Sequence, residues 1–265
     1  MSTVFFLFLT QLALGLMLAL AFVTEWAGDR FFRFSSAAAA FMATGALALL
    51  LRRHGWSGAG APFGDAYSAV MAASLAAVVG MVVYNRAWYF DWQRLQAPAL
   101  AFTLAAGAAA VVLAAPAAQR VLVVAAALTS ILLLGAAAAA MILGHYYLVI
   151  LDLPISALRK LTVLLVVGLV LRGAVVAFAL FGPIHAGLDG ARLVASGLWS
   201  ADGVFVWMRL LFGIAGPFTL VWFIWKTVEL RSTQSATGIL YVQLFLVLSG
   251  ELLGTYLRIA AGLPL

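Results

Sequence analysis

The sequence contains no cysteine. Within this chain that excludes structural disulfides, thiolate zinc sites, cysteine-ligated iron–sulfur clusters and covalently attached c-type haem, so any cofactor must use histidine, methionine, carboxylates or no ligand. Charge is nearly as scarce, at 9% of 265 residues, and there are only three histidines. Also missing are a nucleotide-binding glycine fingerprint, a metalloprotease His-Glu-x-x-His and a serine-hydrolase Gly-x-Ser-x-Gly. Those absences argue against a self-contained enzyme and leave no catalytic residue and no metal site to assign. The stretch from Met1 to Ala21 lacks the positive n-region of a secretory signal peptide and is longer than a typical h-region, so it reads as a retained first span.

Apolar surface is what the chain has in excess: 66% of its residues are hydrophobic and its mean hydropathy is +1.14. A soluble domain of this size could not bury so much. The few charges fall in short clusters between apolar runs of about 20 residues, the length a helix needs to cross about 30 Å of hydrocarbon. The expected spans are Thr3–Thr24, Ser35–Leu51, Ala66–Asn85, Ala97–Ala115, Val121–Leu148, Leu161–Phe181, Val204–Trp225 and Ser235–Leu257. Arg52-Arg53-His54-Gly55, Pro62, Pro116, Asp152-Leu153-Pro154 and Pro183 mark the connections. The fourth and fifth spans are rich in Ala and Gly, which predicts close helix packing through small residues. The expectation is an all-α polytopic transmembrane bundle of eight spans, forming one integral membrane domain over residues 1–265.

An even number of spans puts both termini on one side, the terminal face. The opposite face then holds eight basic residues, Arg30, Arg33, Arg86, Arg94, Arg159, Lys160, Lys226 and Arg231, against five on the terminal face, Arg52, Arg53, Arg120, Arg192 and Arg258. The positive-inside rule makes the opposite face cytoplasmic and the topology N-out/C-out, in a bacterial-type inner membrane. The formal charge of +6 is thus spread over helix ends as a topology signal, and no nucleic-acid partner is implied. The longest connection, Gly182 to Gly203, lies on the outer side and contains His185, Asp189, Arg192, Trp199 and Asp202; it reads as a short interfacial segment or a partner-docking cap.

Charge inside a membrane is costly, so ionisable residues within spans are candidates for function. Three qualify: Arg172 near the middle of the sixth span, Arg209 after the entry to the seventh, and Glu251 in the outer half of the eighth. Glu251, Thr255 and Arg258 stand at i, i+4 and i+7 on one helical face, with Gln243 and Ser249 on the same span. An Arg172–Glu251 pair could simply lock two helices; the functional alternative is a polar pocket that binds a head group or moves protons. His145, in Gly144-His145-Tyr146-Tyr147, sits at the inner interface, either as part of an aromatic anchor or, with Glu25 or Asp152, as a proton-handling group. The aromatic stretch Tyr84 to Trp92 reads as an interfacial belt first and a docking surface second. A bis-histidine haem b would have to use His54 and His185 at the outer boundary.

Leu248-Ser249-Gly250-Glu251-Leu252-Leu253-Gly254 resembles the Gly-Glu-Leu-hydrophobic-Gly stretch in the final helix of the dimethyl sulfoxide reductase membrane anchor, which belongs with the quinol-interacting subunits of molybdopterin oxidoreductases. Eight spans, outer termini and a histidine near the outer end of the second span fit the same resemblance. It implies a quinol-linked role for His54. Here, however, His54 stands in Arg52-Arg53-His54-Gly55-Trp56 rather than a His-Leu-Gly context, and Thr255 replaces the family's arginine. The leading expectation is a non-catalytic membrane subunit of a respiratory or photosynthetic electron-transfer complex. It would anchor partner subunits and offer menaquinone or ubiquinone a site near the outer face, lined by His54, Arg172, Arg209 and Glu251. His145, His185, Gln243 and Glu25 are secondary candidates. A b-type cytochrome, a small-solute or proton-coupled transporter and a purely structural assembly subunit remain the alternatives, and Gly213, Gly216 and Pro217 interrupt the seventh span.

Overall fold

The computed structural model of the chain describes residues 1–23, 27–56, 58, 60, 63–150, 155–185 and 203–260, leaving aside the side chains of 118 and 183–185. Its helices are α1 (Ser2–Leu20), α2 (Asp29–His54), α3 (Tyr67–Tyr89), α4 (Gln93–Leu113), α5 (Arg120–Val149), α6 (Ser156–His185), α7 (Gly203–Glu229) and α8 (Thr233–Ala260). All eight contain windows long and apolar enough to cross a bilayer. A spanning segment must satisfy its own backbone, and a helix does so without a partner. The chain is a multi-pass membrane protein, with Phe41, Phe178, Phe245 and other large apolar side chains exposed along the helices to lipid.

The helix ends depart from the expected spans where charge meets helix. α2 starts at Asp29, not Ser35, and runs on to His54. Asp29 opens its first turn and pairs with Arg33 at 3.2 Å, so the helix crosses the interface instead of stopping at it. α6 likewise begins at Ser156 rather than Leu161 and continues through Pro183 to His185, which moves that proline from the expected loop into the helix. α1 ends at Leu20, short of Thr24. Pro116 does separate α4 from α5, in an extended conformation. Residues 186–202, which make up most of the expected outer connection, lie outside the described residues, as do Pro62 and Asp152-Leu153-Pro154.

Consecutive helices form two four-helix groups. α1 to α4 pack in sequence and close through α1 against α4; α5 to α8 pack in sequence and close through α5 against α8. The two groups meet chiefly where α1 packs on α5, with α1 also touching α8. Small residues make that seam possible: a Cβ on Gly135 would overlap the backbone carbonyl of Gly15, and one on Gly15 would overlap the carbonyl of Ile131. The expected small-residue packing is thus realised in α5, whose Ala136, Ala137, Ala139 and Ala140 are fully buried. α4 instead turns most of its surface outward and buries only Ala99, Thr103, Gly107, Ala110 and Val111.

The aromatic stretch after α3 divides between core and belt. Tyr84 and Trp88 are buried, and Trp88 stacks on Phe32 at 4.2 Å between ring centroids. Asn85 donates to the Arg33 carbonyl at 2.8 Å, and Arg33 Nε donates to the Trp88 carbonyl at 3.0 Å, tying α2 to α3. Tyr89, Phe90 and Trp92 remain exposed, as an interfacial belt requires.

The seam makes a paired prediction. Gly135→Leu forces the α1 and α5 backbones apart and should destabilise the purified protein by about 3 kcal/mol or more. Gly45→Leu, where a side chain would meet nothing within 4 Å, should leave thermal unfolding in detergent unchanged or raise its midpoint.

Candidate functional site

Every helix of the second group contributes to one buried carboxylate. Glu251 lies on the inward face of α8, nine residues before the helix ends at Ala260, or about 13 Å from the terminal end. The Arg172 guanidinium from α6 lies side-on to it: Nε donates to Oε1 at 3.0 Å and to Oε2 at 3.1 Å, and Nη2 lies 3.0 Å from Oε2. Arg209 from α7 donates through Nη2 to Oε1 at 2.6 Å. The Ser130 hydroxyl from α5 donates to Oε2 at 2.6 Å. Arg172, Arg209 and Glu251 are 3%, 0% and 1% exposed, so these charges sit in a low dielectric where each must be matched.

α1 joins through Gln11, whose side-chain amide is 3.0 Å from Ser130 Oγ. The hydroxyl has one proton, and the carboxylate is its stronger acceptor. The hydroxyl stands within reach of two acceptors, Glu251 Oε2 and Gln11 Oε1. Thr255 takes no part in the charge cluster; its hydroxyl donates back to the Glu251 carbonyl at 2.9 Å.

Glycine makes room for Arg209. A Cβ on Gly250 would overlap the Gly213 backbone, and one on Gly213 would overlap the Arg209 guanidinium, so α7 and α8 cross at these two residues with the arginine alongside. Directly after Arg209, residues Leu211–Ala215 widen into a π-helical turn, closed by the Gly216 N–H to the Leu211 carbonyl. Pro217 follows without an N–H of its own and with a ring that crowds the preceding turn. The extra residue absorbs that conflict, so the expected interruption of the seventh span is a local bulge within a continuous α7.

The expected convergence of Arg172, Arg209 and Glu251 is thus realised, while the other candidates stand apart from it. His54 ends α2 in the first helix group, half-buried and edge-on to Tyr67 at 6.4 Å. The Tyr67 hydroxyl donates to the Gly55 carbonyl at 2.8 Å. Among the described residues, the hydrogen bonds and ion pairs of the Glu251 cluster do not include His54. Gln243 is fully buried on α8, and neither atom of its amide has a hydrogen-bond partner among the described residues. Glu25 and the His185 side chain lie outside the described residues. Ser130 and Gln11 escaped the sequence reading, although each is a lone polar residue inside an apolar run.

The spaces beside this cluster are small, about 10 and 20 Å³, on the scale of single water molecules. A crevice of about 510 Å³ lies instead at the opposite face, between the start of α2, the end of α5 and the start of α8. His145 and Tyr241 provide its polar wall, with Tyr241 Oη 3.2 Å from His145 Nδ1. Arg30 flanks them, while Phe34, Ile142 and Val149 form apolar walls. Gly144 brings the two helices together here: the Thr237 hydroxyl donates to its carbonyl at 2.8 Å, and a Cβ on Gly144 would press on Thr237 Oγ1 at 3.1 Å and Leu240 at 3.2 Å. One helical turn after Thr237, Tyr241 reaches His145.

The ion cluster makes an ordered series of stabilities. Glu251→Gln leaves two buried guanidiniums facing a neutral amide and should cost about 3–5 kcal/mol. The triple variant Arg172→Met/Arg209→Met/Glu251→Leu removes the charges together and should unfold later than Glu251→Gln in detergent melts. The reverse order would show that the cluster does more than hold helices. No protein-family model, curated protein or solved structure matches the chain.

Proposed function

We propose that the chain is a membrane-embedded subunit of an electron-transfer complex, with both termini outside a bacterial-type cytoplasmic membrane, and that it offers a quinone or quinol a site within the bilayer. The observation that carries this reading is the His145–Tyr241 crevice. Its volume of about 510 Å³ suits a small ring ligand. It sets two hydrogen-bonding side chains and a cation against apolar walls, the division a quinone head group and its isoprenoid tail require. The water-sized spaces beside Glu251 leave no room for such a ring, so the site assigned to the ligand lies at the opposite face.

A quinone supplies two-electron, two-proton redox chemistry when bound. His145 is exposed in the crevice, and its two ring nitrogens can each donate or accept a hydrogen bond according to the tautomer. With Nδ1 accepting from the Tyr241 hydroxyl, its Nε2–H is free to donate to a carbonyl oxygen. With Nδ1 protonated, it donates to the tyrosine oxygen instead. Arg30 favours negative charge at the same end of the crevice. The redox centres that exchange electrons with the ligand belong to partner subunits, docked on the faces of the bundle. Glu251 and its arginines hold α5 to α8 in register and keep the α8 wall of the crevice in place.

The orientation rests on the eight-to-five excess of basic residues on the opposite face. Because the chain has no cysteine, single substitutions report without background. In intact cells Arg53→Cys should react with a membrane-impermeant maleimide, and Asp91→Cys should react only after permeabilisation.

For the ligand, the purified chain in nanodiscs should be photolabelled by an azidoquinone on the peptides that contain His145 and Tyr241. His145→Ala and Tyr241→Phe should each weaken binding about tenfold. Labelling confined to the His54 region would transfer the site to the terminal face. Absence of saturable labelling would remove the quinone reading and leave an assembly subunit.

A further inference from the structure

The chemistry of the His145–Tyr241 crevice changes with depth. Its walls come from α2, α5 and α8, where the two helix groups meet. Arg30 is the second residue of α2 and is exposed at the helix end. His145 lies four residues before α5 ends at Val149, about 6 Å inward of that end, where it meets Tyr241. Met141 lies one turn deeper on α5 and lines the crevice with Ile142 and Phe34. A glycerophospholipid presents its parts in the same order: an anion outermost, ester carbonyls beneath it and hydrocarbon beneath those.

Charge and position support the match. The opposite face holds eight basic residues against five acids, Glu25, Asp29, Asp91, Asp152 and Glu229, so it stays positive whichever of them pair, and it attracts anionic head groups. The backbone that carries Arg30 is fixed to the α5 wall: the Tyr146 hydroxyl donates to the Arg30 carbonyl at 3.2 Å, and the Tyr146 ring stands edge-on to Phe31 at 6.0 Å. Phe34 and Tyr241 are 55% and 48% exposed, so the crevice opens sideways onto the lipid around the bundle.

We infer that the crevice binds an anionic glycerophospholipid from the leaflet on this side. Arg30 holds the phosphate, His145 and Tyr241 meet the ester oxygens, and the acyl chains lie along Phe34, Ile142 and Met141. A guanidinium can engage two phosphate oxygens at once. When the Tyr241 hydroxyl donates to Nδ1 of His145, the Nε2–H remains to donate to an ester oxygen. A zwitterionic lipid carries the same phosphate, but its own ammonium group competes with Arg30 for it, so the site prefers a lipid with net negative charge. Lipid binding does not depend on the quinone reading. Its consequence does: the two ligands share these walls and exclude each other, so anionic lipid content sets quinone occupancy.

Native mass spectrometry of the purified full chain, titrated with phosphatidylglycerol or phosphatidylcholine of identical acyl chains, tests the site without any quinone. Phosphatidylglycerol should bind about tenfold more tightly. Arg30→Gln should remove that preference and Arg30→Lys should keep most of it, while Arg94→Gln, exposed at the start of α4 on the same face, should leave it intact. Equal affinity for the two lipids, or a preference that survives Arg30→Gln, overturns the proposal. So does displacement of the bound lipid by soluble glycerophosphoglycerol, which would show that the apolar walls play no part. If Arg30→Gln does not fold, a diazirine-tagged phosphatidylglycerol in wild-type nanodiscs decides: labelling of the peptides containing His145 and Tyr241 supports the site, and labelling elsewhere removes it. Azidoquinone labelling in phosphatidylcholine nanodiscs is read separately. Its absence removes the quinone and leaves the lipid site, whereas quinone labelling undiminished by added phosphatidylglycerol counts against the shared crevice.

Discussion

A carboxylate taken out of water has to find its partners before the structure around it can settle, and Glu251 has to find them in a membrane. Arg172, Arg209 and Ser130 reach it from three other helices, so each of those helices has a fixed rotation and height relative to α8. Van der Waals packing between apolar helices tolerates sliding and rotation, because lipid competes on nearly equal terms. A desolvated ion cluster does not, since a slip of even one turn, about 5.4 Å, strands buried charges. The cluster therefore supplies specificity more than net stability. Several otherwise unconnected features follow from it. Gly250 and Gly213 are small because a charged side chain and two backbones share one crossing. The π-helical turn follows Arg209 because the proline four residues beyond Gly213 must be accommodated without moving the arginine. Gln11 draws α1 into the network and fastens one helix group to the other.

How much of this could be read from the sequence depends on the physical scale of each signal. Bilayer thickness imposes a length on every span, and the scarcity of charge makes each span visible, so the number and order of the membrane-length helices among the described residues were legible. Their ends were less so. Asp29 and Arg33 look like loop residues, yet at the interface such side chains pair along the helix and let it continue. Arg172, Arg209 and Glu251 were legible because an ion in hydrocarbon is expensive enough to demand a reason. Ser130 and Gln11 were not, since a single hydroxyl or amide in an apolar run is cheap and common. Their roles exist only in three dimensions, where the residues stand 119 positions apart.

The opposite-face crevice was illegible for a further reason. His145 and Tyr146 resemble an ordinary aromatic belt, and Tyr241 lies in a different helix 96 residues away. Only the approach of α8 to Gly144 brings the tyrosine to the histidine, and a glycine in an Ala-rich helix carries no sign of what it admits. His54 is the converse case. Its motif context drew attention to it, but its ring packs on Tyr67 within the first helix group, and a resemblance over a few residues cannot determine which helices meet.

The two ends of the bundle are linked through one helix. Tyr241 and Glu251 are ten residues apart on α8, about 15 Å along its axis. The Thr237 hydroxyl and Gly144 seat the first half of the helix on α5, while Ser130 fixes the second half on the same α5. A rigid helix held at two points against one neighbour can neither rotate nor slide without breaking both contacts. The distance from Tyr241 to His145 is therefore set partly by an ion cluster in the other half of the membrane. Loosening Glu251 should widen the crevice even though no atom of the cluster touches it. An open crevice keeps its shape only if its walls are fixed from elsewhere. The closed, charged half of this bundle provides that fixation, which gives its buried charges a purpose without assigning them any chemistry of their own.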